Sequence, residues 1–248
     1  MTERLTRADV ERIVAEARDA EVRPDLQGAD IRGMDLRGMN LWGVNLRRAN
    51  LWGADLRGAD MRGAYLRGAY LRDVDLRDVD VRGADLRYAD LWGSSLYGMD
   101  LSHTNLMDAN LSHTDLCGAN LDGLDLRGAN LFGADLREAN MRDADLRYAN
   151  SWGANLWGGL PIQAGASGDG FMVPTPDGWR ITIGCWRNKT LDDLRDLIED
   201  RVDWPQARGE ERERRRPMLR AVLATCEAHI EQQPEDIIDK LHERWGES

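Results

Sequence analysis

Residues 54–73 read ADLRGADMRGAYLRGAYLRD, which is one five-residue unit written four times. The unit continues without insertion or deletion from Pro24 to Gly158. Its central residue recurs at every fifth position from Leu26 to Leu156, which gives 27 units, and 22 of the 27 centres are Leu. The centre usually follows Ala-Asp or Ala-Asn and precedes Arg or Trp and then Gly. This repeat decides the fold of the central part of the chain.

A period of five residues fits neither an α-helix nor a flat β-strand. Positions on one helical face recur about every 3.6 residues, and those on one strand face about every 2 residues. A short extended segment followed by a turn satisfies the period, because the small residue and the Leu two positions later then point to the same side. Glycine assists the turn that follows. Units this short stack as a solenoid in which each coil covers the previous one.

The motif Ala-(Asp/Asn)-Leu-x-x, recurring 27 times in register, resembles that of the pentapeptide-repeat protein family. The resemblance implies a mainly β fold, a right-handed four-sided parallel β-helix with four units per coil. The 27 units would then make nearly seven coils. Burial of one leucine contributes about 1.5–3 kcal/mol, so the leucine column is expected to be the main source of stability.

The chain outside the repeat divides into segments by composition. We expect an N-terminal capping helix over 1–23, the β-helix over 24–158, a linker over 159–170 and a small C-terminal α+β module over 171–248. The first segment has an amphipathic pattern, in which Thr6 and Asp9 resemble a capping box and Pro24 is expected to end the helix. Its predicted apolar stripe consists of Ile13, Val14 and Ala17. Because a solenoid end exposes unpaired strand edges, we expect this helix to cap it.

The C-terminal segment predicts one hairpin and three helices. Strand-like residues 171–173 and 180–185 are joined by a Pro- and Gly-containing turn. Helices are expected from Thr190 to about 200, over 209–232 with Pro217 inside it, and over 235–245. The sequences IGCWR at 183–187 and CEAH at 226–229 resemble a small module that follows repeat regions in phage-type proteins. No function is carried over with that resemblance.

Charge is uneven along the repeat. From Tyr88 to Leu126 there is no Lys or Arg in 39 residues, whereas the rest of the repeat is rich in Arg that we expect to form a mixed lattice with Asp. We call residues 88–126 the acidic belt. Such a belt could imitate the charged edge of DNA; drift around an Asp- and Asn-rich motif is the alternative. The candidate partner-binding residues are Asp90, Trp92, Tyr97, Asp100, Asp108, Asp115, Asp122 and Asp125.

A second candidate surface lies at the end of the repeat, where Ser151 replaces the inward Leu. We expect the C-terminal module to dock there on a patch made of Trp152, Leu156, Trp157 and Leu160.

His103 and His113 are ten residues apart, or half a coil, so they are expected on opposite faces and cannot share a metal. Cys226 and His229 are expected to pack in a core.

No catalytic residue, metal site or cofactor is predicted, since patterns such as GxSxG, HExxH and the P-loop are absent from the sequence. The three cysteines are an odd number and far apart, which suits a reducing compartment. The chain contains no run of 18 apolar residues and its N-terminus lacks an apolar signal core, so we expect a cytoplasmic protein without membrane contact. The net charge of −11 disfavours direct nucleic-acid binding.

The leading functional expectation is a non-catalytic protein-binding β-helix. The family resemblance implies binding to DNA gyrase or topoisomerase IV by imitation of duplex DNA, as characterised relatives do. This chain departs from those relatives in its Arg-rich surface and in carrying a C-terminal module at the end where they usually dimerise, so a homodimer is left open. The alternative is a rigid structural or scaffold protein of phage or actinobacterial type.

Overall fold

The protein is represented by a computed structural model, which describes residues 4–155, 160–163, 169–183, 186–199 and 210–245. These residues group into two compact units. The first unit contains the repeat and the helix before it, and consists of Met1–Ala139 and Ala144–Ala154. The second contains the C-terminal elements, and consists of Asn140–Asp143 and Asn155–Ser248.

Parallel backbone pairing in the repeat joins residues that are 20 positions apart. Asp25 pairs with Asn45, Asn45 with Tyr65 and Tyr65 with Asp85. One coil is therefore four units long, as the family resemblance implies. The paired residues therefore form four columns. We call each column a face and include in it the turn that follows each of its paired residues. Face 1 contains every twentieth residue from Asp25, face 2 from Asp30, face 3 from Asp35 and face 4 from Asn40.

The corner between two faces is a four-residue turn. In the first unit, Ala29 N–H donates to Leu26 C=O at 3.1 Å, and Gly28 between them has a φ of +69°. A positive φ at the third turn residue alone is the pattern of a type II turn, which favours Gly there. At most corners that lack Gly the same conformation is kept, as at Asp73 with a φ of +55°, and His103 is the exception. The turn geometry explains why Gly recurs every five residues.

The interior of the coil is filled by the central residues and the small residues before them. Leu86 is 1% exposed and Ala84 is 2% exposed, and both positions stay buried along the repeat from Leu26 to Leu146, except that Ala29 and Thr104 are half-buried. Both residue types point inward, which confirms the assignment made from the five-residue period. The stacked leucines form one continuous apolar column.

The N-terminal helix α1 spans Arg7–Asp19, which is shorter than the expected 1–23. Its capping box is present: Asp9 N–H donates to the Thr6 hydroxyl at 3.2 Å, and Thr6 N–H donates to the Asp9 carboxylate at 3.0 Å. The helix ends well before Pro24. Glu21 adopts a φ of +55°, and the N–H groups of Glu21 and Val22 donate back to Arg18 and Ala17. This Schellman motif ends the helix.

Contacts hold α1 against the first coil. Val10 and Val14 are its buried residues. The Arg7 guanidinium donates to the carbonyl of Asp35, and that of Arg18 donates to the carbonyl of Asn40, both at 2.9 Å. Before the helix, the chain is extended and pairs with face 2 through Arg4 and Asp30.

In its described residues, the second unit contains a four-stranded antiparallel sheet and three helices. The strands are β1 (Leu160–Gln163), β2 (Asp169–Thr175), β3 (Gly178–Ile183) and β4 (Trp186–Lys189), in the order β1-β2-β3-β4. The helices are α2 (Leu191–Ile198), α3 (Glu210–Ile230) and α4 (Ile237–Trp245). The buried core of this unit consists of Met172, Ile181, Leu194, Leu197, Ile198, Leu219, Val222 and Cys226.

Two of these strands differ from the sequence expectation. Strand β1 lies inside the segment 159–170 that was expected to be a linker, and it pairs in register with β2, with Leu160 opposite Met172. Strand β4 directly precedes the Thr190 capping box, where no strand was expected. Both strands are only four residues long, and a segment that short carries little periodicity. The hairpin of β2 and β3 lies where the sequence places it.

Candidate protein-binding surface

Most charges on the repeat belong to pairs made within a single unit. In the Asp-x-Arg sequence, the Asp precedes the central residue and the Arg follows it, so both lie on the same face. Arg57 Nε donates to Asp55 Oδ1 at 2.9 Å and Nη2 donates to Oδ2 at 2.6 Å, which is a bidentate contact. Within the described repeat, this geometry recurs at ten pairs whose acids are Asp30, Asp35, Asp55, Asp60, Asp75, Asp80, Asp85, Asp125, Asp135 and Asp145.

These pairs shift the titration of both partners. The hydrogen bond from Arg62 lowers the pKa of Asp60, and the same contact raises the pKa of Arg62. Some pairs also reach the next coil, as between Arg62 and Asp80 at 3.6 Å. The mixed Asp and Arg lattice expected from the sequence is present, and it neutralises much of the surface outside the acidic belt.

Two carboxylates of the acidic belt are neutralised by arginines that lie outside it in sequence. Asp90 forms an ion pair with Arg72 and also accepts a hydrogen bond from Asn110 Nδ2 at 2.8 Å. Asp125 forms a bidentate pair with Arg127. The sequence segment alone therefore overstates the charge of the belt.

Asp100 and Asp115 occupy paired positions on faces 4 and 3. Asp100 accepts hydrogen bonds from Ser102 Oγ at 2.7 Å and from Asn120 Nδ2 at 3.1 Å. Partial burial is the largest single influence and would raise the pKa of Asp100, but these hydrogen bonds together with the one from the Ser102 backbone N–H lower it. Asp115 accepts the backbone N–H of Cys117 at 3.0 Å. Both carboxylates thus receive neutral donors in these contacts.

The other two candidate acids lie in turns. Asp108 is on face 1 with a φ of +57°, and Asp122 is on face 4 in the coil after Asp100. The four acids outside the Asp-x-Arg and Arg72 pairs, which are Asp100, Asp108, Asp115 and Asp122, are therefore distributed over three faces. The structure brings Asp100 and Asp122 to one face and leaves the other two on separate faces.

The aromatic candidates of the belt lie on adjacent faces. Trp92 is exposed on face 2 and Tyr97 is exposed on face 3. His113 joins Trp92 to Phe132, with edge-on ring centroids 5.9 Å and 5.3 Å apart. This link between Trp92 and Phe132 was not predicted from the sequence. The signal for it is the position of His113 in the turn of the coil between them.

The expected docking patch is only partly within the described residues. Trp152 is exposed on face 2. Leu160 begins β1. Leu156 and Trp157 lie outside the described residues, so the patch stays a prediction.

The cysteine and histidine residues do not form a metal-binding cluster in the part of the chain that the structure describes. No group of three His, Cys, Asp or Glu residues with suitable geometry occurs there. Cys226 lies in the core of the second unit, where burial raises the pKa of its thiol to about 11. His229 packs edge-on against Trp179 at 6.4 Å. His103 and His113 lie on opposite faces, and Cys185 is outside the described residues.

Among the helices of the described residues, none combines the length and the apolar character that crossing a membrane requires.

Comparisons with known proteins identify the repeat. The family model for pentapeptide repeats matches with eight copies over residues 25–63, 53–87, 84–123 and 125–158. No curated protein gives a significant match to the chain.

Several solved structures are similar to the chain. HetL, a pentapeptide repeat protein involved in heterocyst differentiation regulation from Nostoc sp. strain PCC 7120, is 39% identical over 54% of this chain and 64% of its own, with a TM-score of 0.34. The pentapeptide repeat protein Rfr23 from Cyanothece 51142 is 22% identical over 58% of this chain and 97% of its own, with a TM-score of 0.33. QnrB1, a plasmid-mediated fluoroquinolone resistance protein, is 22% identical over 53% of this chain and 76% of its own, with a TM-score of 0.29.

None of these TM-scores reaches 0.5, so the assignment rests on the repeat itself. The family model covers more than half of the 248 residues, and the backbone pairs at the 20-residue interval that four units per coil require. Pentapeptide repeat proteins form a right-handed β-helix. The chain belongs to the pentapeptide repeat family.

Proposed function

We propose that the repeat is a non-catalytic protein-binding surface, and that its partner is a type II topoisomerase such as DNA gyrase or topoisomerase IV. The observation that carries the proposal is the acidic belt. Its four carboxylates outside the Asp-x-Arg and Arg72 pairs lie in the one part of the repeat that has no arginine of its own. Pentapeptide repeat proteins are generally structural or binding proteins, which agrees with a role without catalysis.

The physical basis is charge complementarity. An enzyme channel that holds DNA is lined with Lys and Arg, and it attracts carboxylates more strongly where they are not held in a bidentate arginine pair. Elsewhere on the repeat, each Asp-x-Arg pair presents a cation beside its anion. The belt is therefore the region of the solenoid best suited to replace the phosphates of duplex DNA.

A rigid scaffold is the second candidate. The ten Asp-x-Arg pairs and the continuous apolar column favour a stiff rod with a largely neutral surface. Such a rod would serve as a spacer and would not need an acidic belt.

The N-terminal helix has a supporting role in both candidates. We propose that α1 caps the first coil, because its buried valines and its arginine-to-carbonyl hydrogen bonds lie against that coil. A covered end prevents pairing with strands of other molecules.

The belt variant replaces Asp100, Asp108, Asp115 and Asp122 with Asn, which keeps shape and removes charge. We expect it to lose most of its binding to gyrase in a surface-binding assay. Binding of the wild-type protein should weaken as salt rises, since the Debye length falls from about 10 Å at 0.1 M to about 3 Å at 1 M. A supercoiling assay, with and without a quinolone, measures the consequence for the enzyme.

Two controls separate the belt from total charge. The paired-site variant replaces Asp35, Asp55, Asp60 and Asp75 with Asn, which changes net charge equally, and it should keep its binding. Replacing Arg37, Arg57 and Arg77 with Gln should leave binding intact or improve it. If the belt and paired-site variants behave alike, or the wild-type protein shows no salt-sensitive binding, the topoisomerase proposal fails and the scaffold is favoured.

A further inference from the structure

Three arginines of the repeat stand apart from the charge lattice. Among the described residues, Arg47, Arg48 and Arg67 have no carboxylate within 4.0 Å, whereas the other twelve repeat arginines each form an ion pair. All three lie on face 1, in two adjacent coils. Unpaired cations placed together on one face are unexpected in a lattice that otherwise pairs its arginines.

The sequence of face 1 explains why these arginines lack partners. Asn45 and Tyr65 occupy the positions where other units carry the Asp of an Asp-x-Arg pair. Asn45 accepts only the backbone N–H of Arg47, at 3.3 Å. Arg48 occupies the usual Gly position of its turn and has a φ of +57°, so it adds a second cation to its unit.

Aromatic rings hold two of these cations, Arg47 and Arg67, in place. Tyr65 lies between Arg23 and Arg47, whose guanidinium carbons are 4.0 Å and 4.6 Å from the ring centroid. Arg67 lies over the ring of Tyr88 at 4.9 Å. A guanidinium that stacks on a ring keeps its N–H donors free at the edge. The Arg47 and Arg67 side chains are thus ordered on aromatic rings, and among the described residues neither has a carboxylate within 4.0 Å.

The same residues line an open groove. Its volume is about 590 Å³, and its lining is Gln27, Arg47, Arg48, Arg67, Gly68 and Tyr88. A Cβ atom at Gly68 would lie 3.7 Å from Arg48 Cγ, which is an ordinary van der Waals distance, so Gly68 lies next to the Arg48 side chain in the lining. The volume falls within the range of about 300–1,000 Å³ typical of small-ligand sites.

We propose that this groove binds a ligand that carries a chain of phosphate groups, either a nucleoside polyphosphate or inorganic polyphosphate. Guanidinium groups match phosphate oxygens with paired donors. The arginines of adjacent coils are separated by roughly one strand spacing of 4.8 Å, so neighbouring phosphates can be contacted together. Tyr88 is 50% exposed and offers a ring for a nucleobase. The net charge of −11 disfavours binding of a long nucleic acid, which would contact much of the surface. A ligand small enough to fit in the groove would contact mainly the arginines.

Calorimetric titration at low salt with three probes tests the proposal and separates the two sources. Inorganic tripolyphosphate and ATP should bind, and adenosine should not. Tighter binding of ATP than of tripolyphosphate, lost in Tyr88→Leu, identifies a nucleotide. Equal binding of both identifies the phosphate chain alone. The Arg47→Gln/Arg67→Gln variant should weaken binding of both by roughly tenfold or more, because two charged hydrogen-bond donors are lost.

The matched control is Arg57→Gln/Arg77→Gln, which changes net charge equally but removes paired arginines, and it should bind as the wild-type protein does. A second variant, Arg47→Lys/Arg67→Lys, keeps the charge and should bind with intermediate affinity. Its retained binding would show that the loss in the Gln variant is not caused by misfolding. Absence of binding to the wild-type protein, or an equal loss in both Gln variants, would overturn the proposal. Neither result depends on the topoisomerase proposal.

Discussion

At the scale of single residues, the turn decides where each side chain of the repeat lies. The third residue of each turn has a positive φ at most corners, whether it is Gly58 at +68° or Tyr148 at +63°. A left-handed conformation costs a non-glycine residue about 1–2 kcal/mol, so the surrounding coil must impose it. Stacking of identical coils provides that constraint, because each coil fixes the backbone of the next through the hydrogen bonds between them.

The inward leucines are the residues on which the fold depends most. We expect Leu86→Ala to lower the free energy of unfolding of the repeat by about 2–5 kcal/mol, since it opens a cavity in a column that cannot collapse easily. Leu86→Asp should abolish folding, because it buries an unpaired charge. Chemical denaturation followed by circular dichroism measures both effects.

The control for that prediction is an exposed apolar residue. Trp42 is 60% exposed on face 4, whereas Leu86 is 1% exposed. Trp42→Ala should change stability by only about 0.5 kcal/mol. Equal losses for the two alanine variants would contradict the inward assignment.

Which residues face inward was predictable because a period of five admits few backbone solutions. The contacts that individual side chains make were harder to predict from the sequence. Arg72 neutralises Asp90 across a sequence separation of 18 residues, and the groove joins Arg47 and Arg67 from different coils. Such contacts depend on the 20-residue coil as well as on local sequence. Tyr65, an exception to the Asp and Asn rule, was the available signal for the groove.

At the scale of secondary-structure elements, helix starts were easier to predict than helix ends. The Thr6 and Thr190 capping boxes are both present, because a side chain three residues away satisfies the first N–H groups. The end of α1 was placed too late, since Pro24 is a visible stop and the left-handed Glu21 is not. Glycine usually marks such an end, and this helix lacks it.

The packing of α1 provides a test of its proposed capping role. Val14 is 5% exposed in α1, and Val22, just after the helix, is 59% exposed. Val14→Ala should lower the melting temperature, because it removes about 1.5 kcal/mol of buried apolar contact. Val22→Ala, the same chemical change, should leave the melting temperature nearly unaltered. If both variants melt alike, α1 does not stabilise the first coil.

At the scale of the whole molecule, the Asp-x-Arg pairs make stability depend on pH. The pKa values of Asp55, Asp75 and Asp135 are lowered, with the hydrogen bond from the neighbouring arginine as the largest cause in each case. In the unfolded chain such carboxyls have a pKa of about 3.9. As pH falls below that value, protons therefore bind the unfolded chain more readily than the folded one.

We expect the stability of the repeat to be constant from pH 7 to about 5 and to fall progressively as the pH drops below about 4. Thermal unfolding by circular dichroism between pH 7 and 2.5 measures this, with the second unit followed as a separate transition where the two resolve. The paired-site variant lacks four of the ten pairs, so its melting temperature should fall less steeply with acid. The belt variant keeps all ten pairs and should follow the wild-type protein through most of the range. Identical acid sensitivity of the paired-site variant and the wild-type protein would show that the pairs are not the groups that link folding to pH.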